Sequence, residues 1–162
     1  MNVGQLCSRD LISVPASATL SEVARLMHDQ HIGSVVVIKS PLDRPVAVGV
    51  ITDRDVVRAQ LQRTADLSRL RAEDVMTPNP LVLSEDSQPE DAVRKMRARA
   101  VRRAPVVDAH GTLIGLVSTD DLVAHIGRQL GNIARVVALQ PMREAERAPA
   151  QGSEWACPPS HC

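Results

Sequence analysis

The 162-residue sequence has no phenylalanine and no tyrosine, and Trp155 is its only aromatic residue. A core must therefore be built from Val, Leu, Ile, Ala and Met, and a bound base would have to lie between aliphatic side chains. Proteins that bind single-stranded nucleic acid lean on aromatic platforms, so the absence argues against that class. An excess of either charge is missing too: 19 Lys and Arg balance 19 Asp and Glu, leaving no global field to draw in nucleic acid or an anionic membrane. No apolar run approaches the ~20 residues of a membrane span. The opening Met1-Asn2-Val3-Gly4-Gln5 has neither the charged nor the apolar segment of a leader peptide. A soluble cytoplasmic protein is the expectation. Three cysteines, Cys7, Cys157 and Cys162, imply no disulfide framework. There is no nucleophile elbow, Walker loop or Gly-x-Gly-x-x-Gly, and no acid pair placed for proton transfer, so no catalytic residues and no enzyme are expected.

What is present is one phrase written twice. Gly49-Val50-Ile51-Thr52-Asp53-Arg54-Asp55 and Gly115-Leu116-Val117-Ser118-Thr119-Asp120-Asp121 each read Gly, two apolar residues, a hydroxyl residue, two further residues and Asp. Such a phrase predicts a strand running into a capped helix, whose N-terminus can hold an anion through its N–H groups and dipole.

The flanking sequence repeats as well. Thr19 and Glu22 have capping-box spacing, and Leu20, Val23, Ala24 and Met27 recur at helical intervals, with Gly33 as the stop. Val35 to Ile38 reads as a buried strand, Ser40 to Pro45 as a turn, and Val46 to Ile51 as a second strand. At an offset of 69, Val75 to Leu81 falls on Leu6 to Ile12, and Pro89, Ala92, Val93 and Met96 fall on the first helix. Ala104 to Val107 overlays the buried strand, and a shorter turn at Asp108 to Gly111 lowers the offset to 66 for the second phrase. Each unit reads strand, helix, strand, strand, helix. Neither half would bury much core alone, so the two should pack as one pseudo-symmetric module. The boundaries are a first repeat at 1–63, a linker at 64–72, a second repeat at 73–131, a candidate helix at 132–147 interrupted by Pro141, and a disordered tail at 148–162.

Thr52-x-x-Asp55 and Ser118-x-x-Asp121 admit two readings. They can be ordinary caps in which the acid reaches back to the N-cap amide, or the acid and hydroxyl can face a ligand. Arg97, Arg99, Arg102 and Arg103 suit the negative end of a helix, although Arg102 and Arg103 stand at the entrance of the following strand. His28 and His31 take the same helix-end reading, with no carboxylate or thiol placed to complete a metal site. The tail offers Cys157, His161 and Cys162, too few ligands for structural zinc.

Taken together, the doubled turn, Val75-Met76-Thr77-Pro78 and Val101-Arg102-Arg103-Ala104-Pro105-Val106-Val107-Asp108 resemble a tandem pair of CBS (cystathionine β-synthase) domains, the Bateman module, over residues 3 to 130. The resemblance implies an α/β (α+β) fold of two βαββα repeats related by a pseudo-twofold axis, with two clefts between them and association into a homodimer through helices. It implies a regulatory module for energy sensing or allosteric control. No cofactor would be required; AMP, ADP, ATP or S-adenosylmethionine would bind in a cleft as regulatory ligand, and the output would pass to an unidentified partner protein. Carried over, Thr52 and Ser118 would donate to phosphate or ribose oxygens, while Asp55 and Asp121 would accept from the ribose hydroxyls. Arg102 and Arg103 stand where nucleotide-sensing members carry a phosphate-binding basic pair; their first-repeat equivalents are Gly33 and Ser34, with Arg54 and Arg58 as partial compensation. The cleft engaging the Arg pair is expected to bind phosphate more tightly. The alternative is a ligand-free dimerisation or docking module that merely keeps the caps.

Overall fold

A computed structural model of the chain describes residues 1–39, 44–63 and 66–147. Most of the turn expected at Ser40 to Pro45, and the tail with Cys157, His161 and Cys162, lie outside the described residues. The chain forms two units, residues 1–125 and 126–162.

In the first unit the elements run α1 (Val3–Leu6), β1 (Ser13–Pro15), α2 (Leu20–Asp29), β2 (Ser34–Lys39), β3 (Val46–Thr52), α3 (Asp53–Arg63), α4 (Ala72–Val75), β4 (Thr77–Pro78), β5 (Leu83–Ser84), α5 (Pro89–Arg99), β6 (Arg103–Val107) and β7 (Leu113–Ser118). The final helix, α6 (Thr119–Arg147), starts here and continues into the second unit. The βαββα plan is therefore present twice, as β1-α2-β2-β3-α3 and β5-α5-β6-β7-α6.

Local chemistry accounts for these elements. Thr19 Oγ1 accepts from the Glu22 amide at 3.2 Å while Glu22 Oε2 accepts from the Thr19 amide at 2.8 Å, the reciprocal cap that the spacing predicts. Leu20, Val23 and Met27 then form the buried stripe of α2. The helix stops at Asp29, with His31 left-handed at φ 52°; its equivalent Ala100 closes α5 at φ 51°. A non-glycine residue ends both helices, and Gly33 lies beyond the stop. β2 is buried along Ser34 to Val37, as its β-branched run requires. On α3 the inward residues are Val56 and Ala59, whereas Val57 and Leu61 are exposed.

Packing does not follow the sequence repeats. The first sheet has the order β1-β2-β3-β4, and β4 comes from the segment that leads into the second repeat, with Val50 opposite Thr77. The second sheet, β5-β6-β7, receives the reciprocal bridge from the segment that leads into the first repeat, Ser8 opposite Leu116. The cores follow the same exchange. Leu70 and Ala72 are buried with Leu20, Val35 and Ile51, whereas Val3 is buried with Leu83, Met96 and Val117.

The glycine that opens each doubled phrase makes this exchange possible. A Cβ on Gly49 would run into the Met76 side chain, and one on Gly115 would stand 2.6 Å from the Ser8 carbonyl and 2.8 Å from Cys7 Sγ. Glycine is required at Gly115, where the Ser8 backbone crosses this closely, while at Gly49 it gives room to a side chain. The two repeats also meet directly, through a 2.8 Å hydrogen bond from the Leu113 amide to the Pro45 carbonyl.

In the second unit α6 is helical through position 141, so the segment 132–147 is a continuation of one helix. Ile126, Leu130, Ile133 and Val137 are exposed along it. Among the described residues no helix is long and apolar enough to cross a membrane.

Candidate functional site

Both doubled turns form closed caps. Asp55 Oδ2 accepts from the Thr52 amide at 2.9 Å and from Thr52 Oγ1 at 2.6 Å, and Thr52 Oγ1 accepts from the Asp55 amide at 3.3 Å. Asp121 and Ser118 repeat this at 2.8, 2.6 and 3.2 Å. The bonds are short, part-buried and doubled on one carboxylate oxygen, as charge-assisted caps are.

The same bonds occupy the donors that a helix end would offer an anion. At the start of α3 the Asp53 amide donates to the Gly33 carbonyl at 3.1 Å, and the Arg54 amide to Asp53 Oδ1 at 2.7 Å. At the start of α6 the Thr119 amide donates to the Arg102 carbonyl at 2.8 Å. An anion at the start of α3 must therefore be held by side chains.

Such side chains converge on one cleft of about 540 Å³ between the repeats. Val50, Pro80, Leu81, Ala100 and Val101 line it with apolar surface, and Thr52, Arg54, Arg102 and Arg103 with donors. Asp53 and Asp120 stand among these cations. Ser34 and Arg103 occupy the same position of the two repeats, and Arg103 Nη1 donates to Ser34 Oγ at 3.0 Å. A bond between equivalent positions lies where the pseudo-twofold relation brings the repeats face to face, so Arg103 reaches across into the cleft of the first repeat's turn. Arg102 Nη2 lies 3.8 Å from Asp120 Oδ1, with both side chains largely exposed. An ion pair this open contributes little and leaves the guanidinium available.

Of the seven residues the sequence nominates, the cleft brings together Thr52, Arg54, Arg102 and Arg103. Asp55, Ser118 and Asp121 are half-buried and do not line it; Asp55 faces a separate, smaller cavity with Arg58, 3.6 Å from its Oδ1. The Arg pair of the second repeat thus serves the cleft carrying the first repeat's turn, and the Thr52 and Ser118 hydroxyl protons are directed to their cap carboxylates. Sequence reading missed Asp53, Asp120, Thr77, Pro80 and Leu81. The Thr77-Pro78-Asn79-Pro80 phrase marked a leader of the repeat, but nothing in it says that the leader crosses over and becomes a cleft wall.

Cys7 lies against Gly115, and burial pushes its thiol above the ordinary value of 9.0. It behaves as a packed side chain and not as a nucleophile. Among the described residues no three His, Cys, Asp or Glu side chains gather as a metal site.

Comparison with known proteins matches this arrangement. The CBS domain family model fits residues 3–62 and 72–128. The chain belongs to the CBS domain family and carries the domain in tandem. It is 33% identical over 123 residues to an uncharacterised protein of Methanopyrus kandleri, a match spanning 76% of this chain and 61% of that one. The chain thus spans less than two thirds of the length of that curated relative. The structure of CBSX2 in complex with AMP is similar, with 28% identity, a TM-score of 0.66 and coverage of 78% of this chain and 96% of that one; the protein of that name is from Arabidopsis thaliana. A CBS domain protein of Pyrobaculum aerophilum complexed with AMP is similar too, with 30% identity, a TM-score of 0.66 and coverage of 75% and 89%.

Proposed function

We propose that this chain is a regulatory module that binds an adenosine nucleotide in the cleft between its repeats and, by favouring one arrangement of them, modulates a partner protein without catalysing a reaction itself. The observation that carries the reading is the make-up of the cleft. Three guanidinium groups and five aliphatic side chains line it together, a combination that suits a phosphate joined to an apolar base. Similarity to two CBS structures that hold AMP supports it. In this reading the base lies between Val50, Leu81 and Val101, as a chain without Phe or Tyr demands. The ribose lies by Thr52, the end of the Thr52–Asp55 turn that lines the cleft, while Asp55 holds the cap. The Ser118–Asp121 turn serves the second, pseudo-symmetric cleft, and the ligand regulates by its unequal affinity for the two arrangements.

Calorimetric titration with AMP, ADP, ATP, S-adenosylmethionine and NADH tests the proposal. Arg103→Ala is expected to weaken the best ligand about 10- to 100-fold, the range for one hydrogen bond to a charged group. If no compound binds below millimolar concentration, the sensor reading fails.

The competing reading, a ligand-free dimerisation or docking module, draws on the exposed apolar residues Val57 and Leu61 of α3 and Val123 of α6. We place the homodimer contact there in either reading. Under the competing one, Leu61→Asp abolishes the dimer in light scattering while no nucleotide is bound by any form.

A further inference from the structure

We infer that Asp53 and Asp120 set the number of phosphates the cleft accepts and restrict it to nucleotides with a single phosphate, an inference that rests on the nucleotide-binding reading above. Two carboxylates stand among the arginines of the cleft, and the backbone donors at the start of α3 are already engaged.

Three arginines and two aspartates line the cleft, a formal balance of one positive charge. The carboxylates are interleaved with the cations. Asp120 Oδ1 is 3.8 Å from Arg102 Nη2. A Cβ on Gly33 would have Asp53 Oδ2 at 3.4 Å and Arg103 Nη1 at 3.8 Å, so both groups stand beside that glycine. Each member of the Arg pair therefore has a carboxylate close by, Asp120 beside Arg102 and Asp53 near Arg103. A first phosphate shares the guanidinium groups with these carboxylates and meets the surplus charge. A second or third phosphate adds negative charge within a few ångströms of Asp53 and Asp120, where repulsion outweighs what the shared arginines return.

Backbone donors at the start of α3 cannot offset that repulsion, because they are engaged. The Asp53, Arg54 and Asp55 amides donate to the Gly33 carbonyl, Asp53 Oδ1 and Thr52 Oγ1 at 3.1, 2.7 and 3.3 Å. A phosphate-binding helix end leaves such groups free for the anion. Here the first-turn carboxylate of Asp53 takes the ligand's place.

Titrating the full chain with AMP, ADP and ATP in magnesium-free buffer at fixed ionic strength tests the inference. AMP should bind at least ~10-fold more tightly than ATP, with ADP between them. Asp120→Asn and Asp53→Asn keep an acceptor oxygen, so the Arg54 amide stays capped and folding is preserved, which thermal melts verify. Together they should tighten ATP more than AMP and bring the ratio to within about threefold. ATP binding as tightly as AMP to the natural chain, or a ratio unchanged in the double variant, overturns the inference and leaves the sensor reading standing. A chain that binds none of the three overturns both.

Discussion

The two repeats share a fold and a capped turn but differ where they face each other. At one pair of equivalent positions the first repeat has Gly33 and Ser34, and the second has Arg102 and Arg103. Two short residues and two long cations cannot be exchanged across a pseudo-twofold axis without consequence. Ser34 leaves space and an acceptor, Arg103 fills that space from the other side, and the result is a cleft lined by three arginines. Duplicated folds diverge in this way at little structural expense, because the altered positions lie at the strand entrances and belong to neither hydrophobic core. The leaders differ similarly. Gly49 is crossed by the flexible Met76, and Gly115 by the Ser8 carbonyl and Cys7.

The largest effect is expected in the cores. Met96 is 1% exposed and its equivalent Met27 7% exposed; Met96→Ala should cost about 2–5 kcal/mol and Met27→Ala should fall lower in that range, since partial access lets the site collapse. Urea unfolding of both variants measures the gap, and equal losses would show that the repeats are packed alike.

Next come the crossing points. Gly115→Ala should destabilise by about 1–3 kcal/mol and Gly49→Ala by less, because Ser8 presents a backbone carbonyl at 2.6 Å, whereas the two nearest Met76 atoms move with its rotamer and only its Cβ, at 2.9 Å, is fixed. A reversed order in thermal melts would break the comparison of the two leaders.

The caps should come out alike. Thr52→Ala and Ser118→Ala are each expected to remove about 1 kcal/mol, since their hydrogen-bond distances agree within 0.1 Å. A loss at one turn alone would mean that its cap is not equivalent in solution.

The smallest effect concerns acid. The Thr19 amide and hydroxyl hold the Glu22 carboxyl below its ordinary 4.5, and α5 begins at Gln88 with no side-chain cap. A carboxyl with a lowered folded-state value stabilises at pH above 4.5, and that contribution is lost as pH falls through the folded value. Glu22→Gln should flatten stability against pH in that acidic window, whereas Gln88→Glu should steepen it if it builds the missing cap.

Much of this architecture is legible along the chain because it is local. The Thr19–Glu22 cap, the β-branched run of β2 and both Ser/Thr-x-x-Asp turns depend on residues three or four apart, and they appear where spacing predicts. The repeat is legible too, since duplication preserves register, and it carries the family with it. Four of the nominated residues lie together in the cleft for the same reason: strand entrances and helix starts occur at fixed places in the motif.

Tertiary structure decided the rest. That Ser8 and Thr77 each complete the other repeat's sheet is a matter of which edge a leader reaches, and local periodicity contains no such information. That Arg103 lines the cleft of Thr52 is marked by a hydrogen bond between residues 69 apart. The two carboxylates in the cleft, Asp53 and Asp120, hold the variable places of a motif read for its fixed ones, and only packing brings them beside the arginines. Sequence determined the elements, their duplication and their caps, because those arise from short-range hydrogen bonding and side-chain periodicity. The site is made by strands and helix starts meeting across an axis, and that meeting is a property of the folded chain alone.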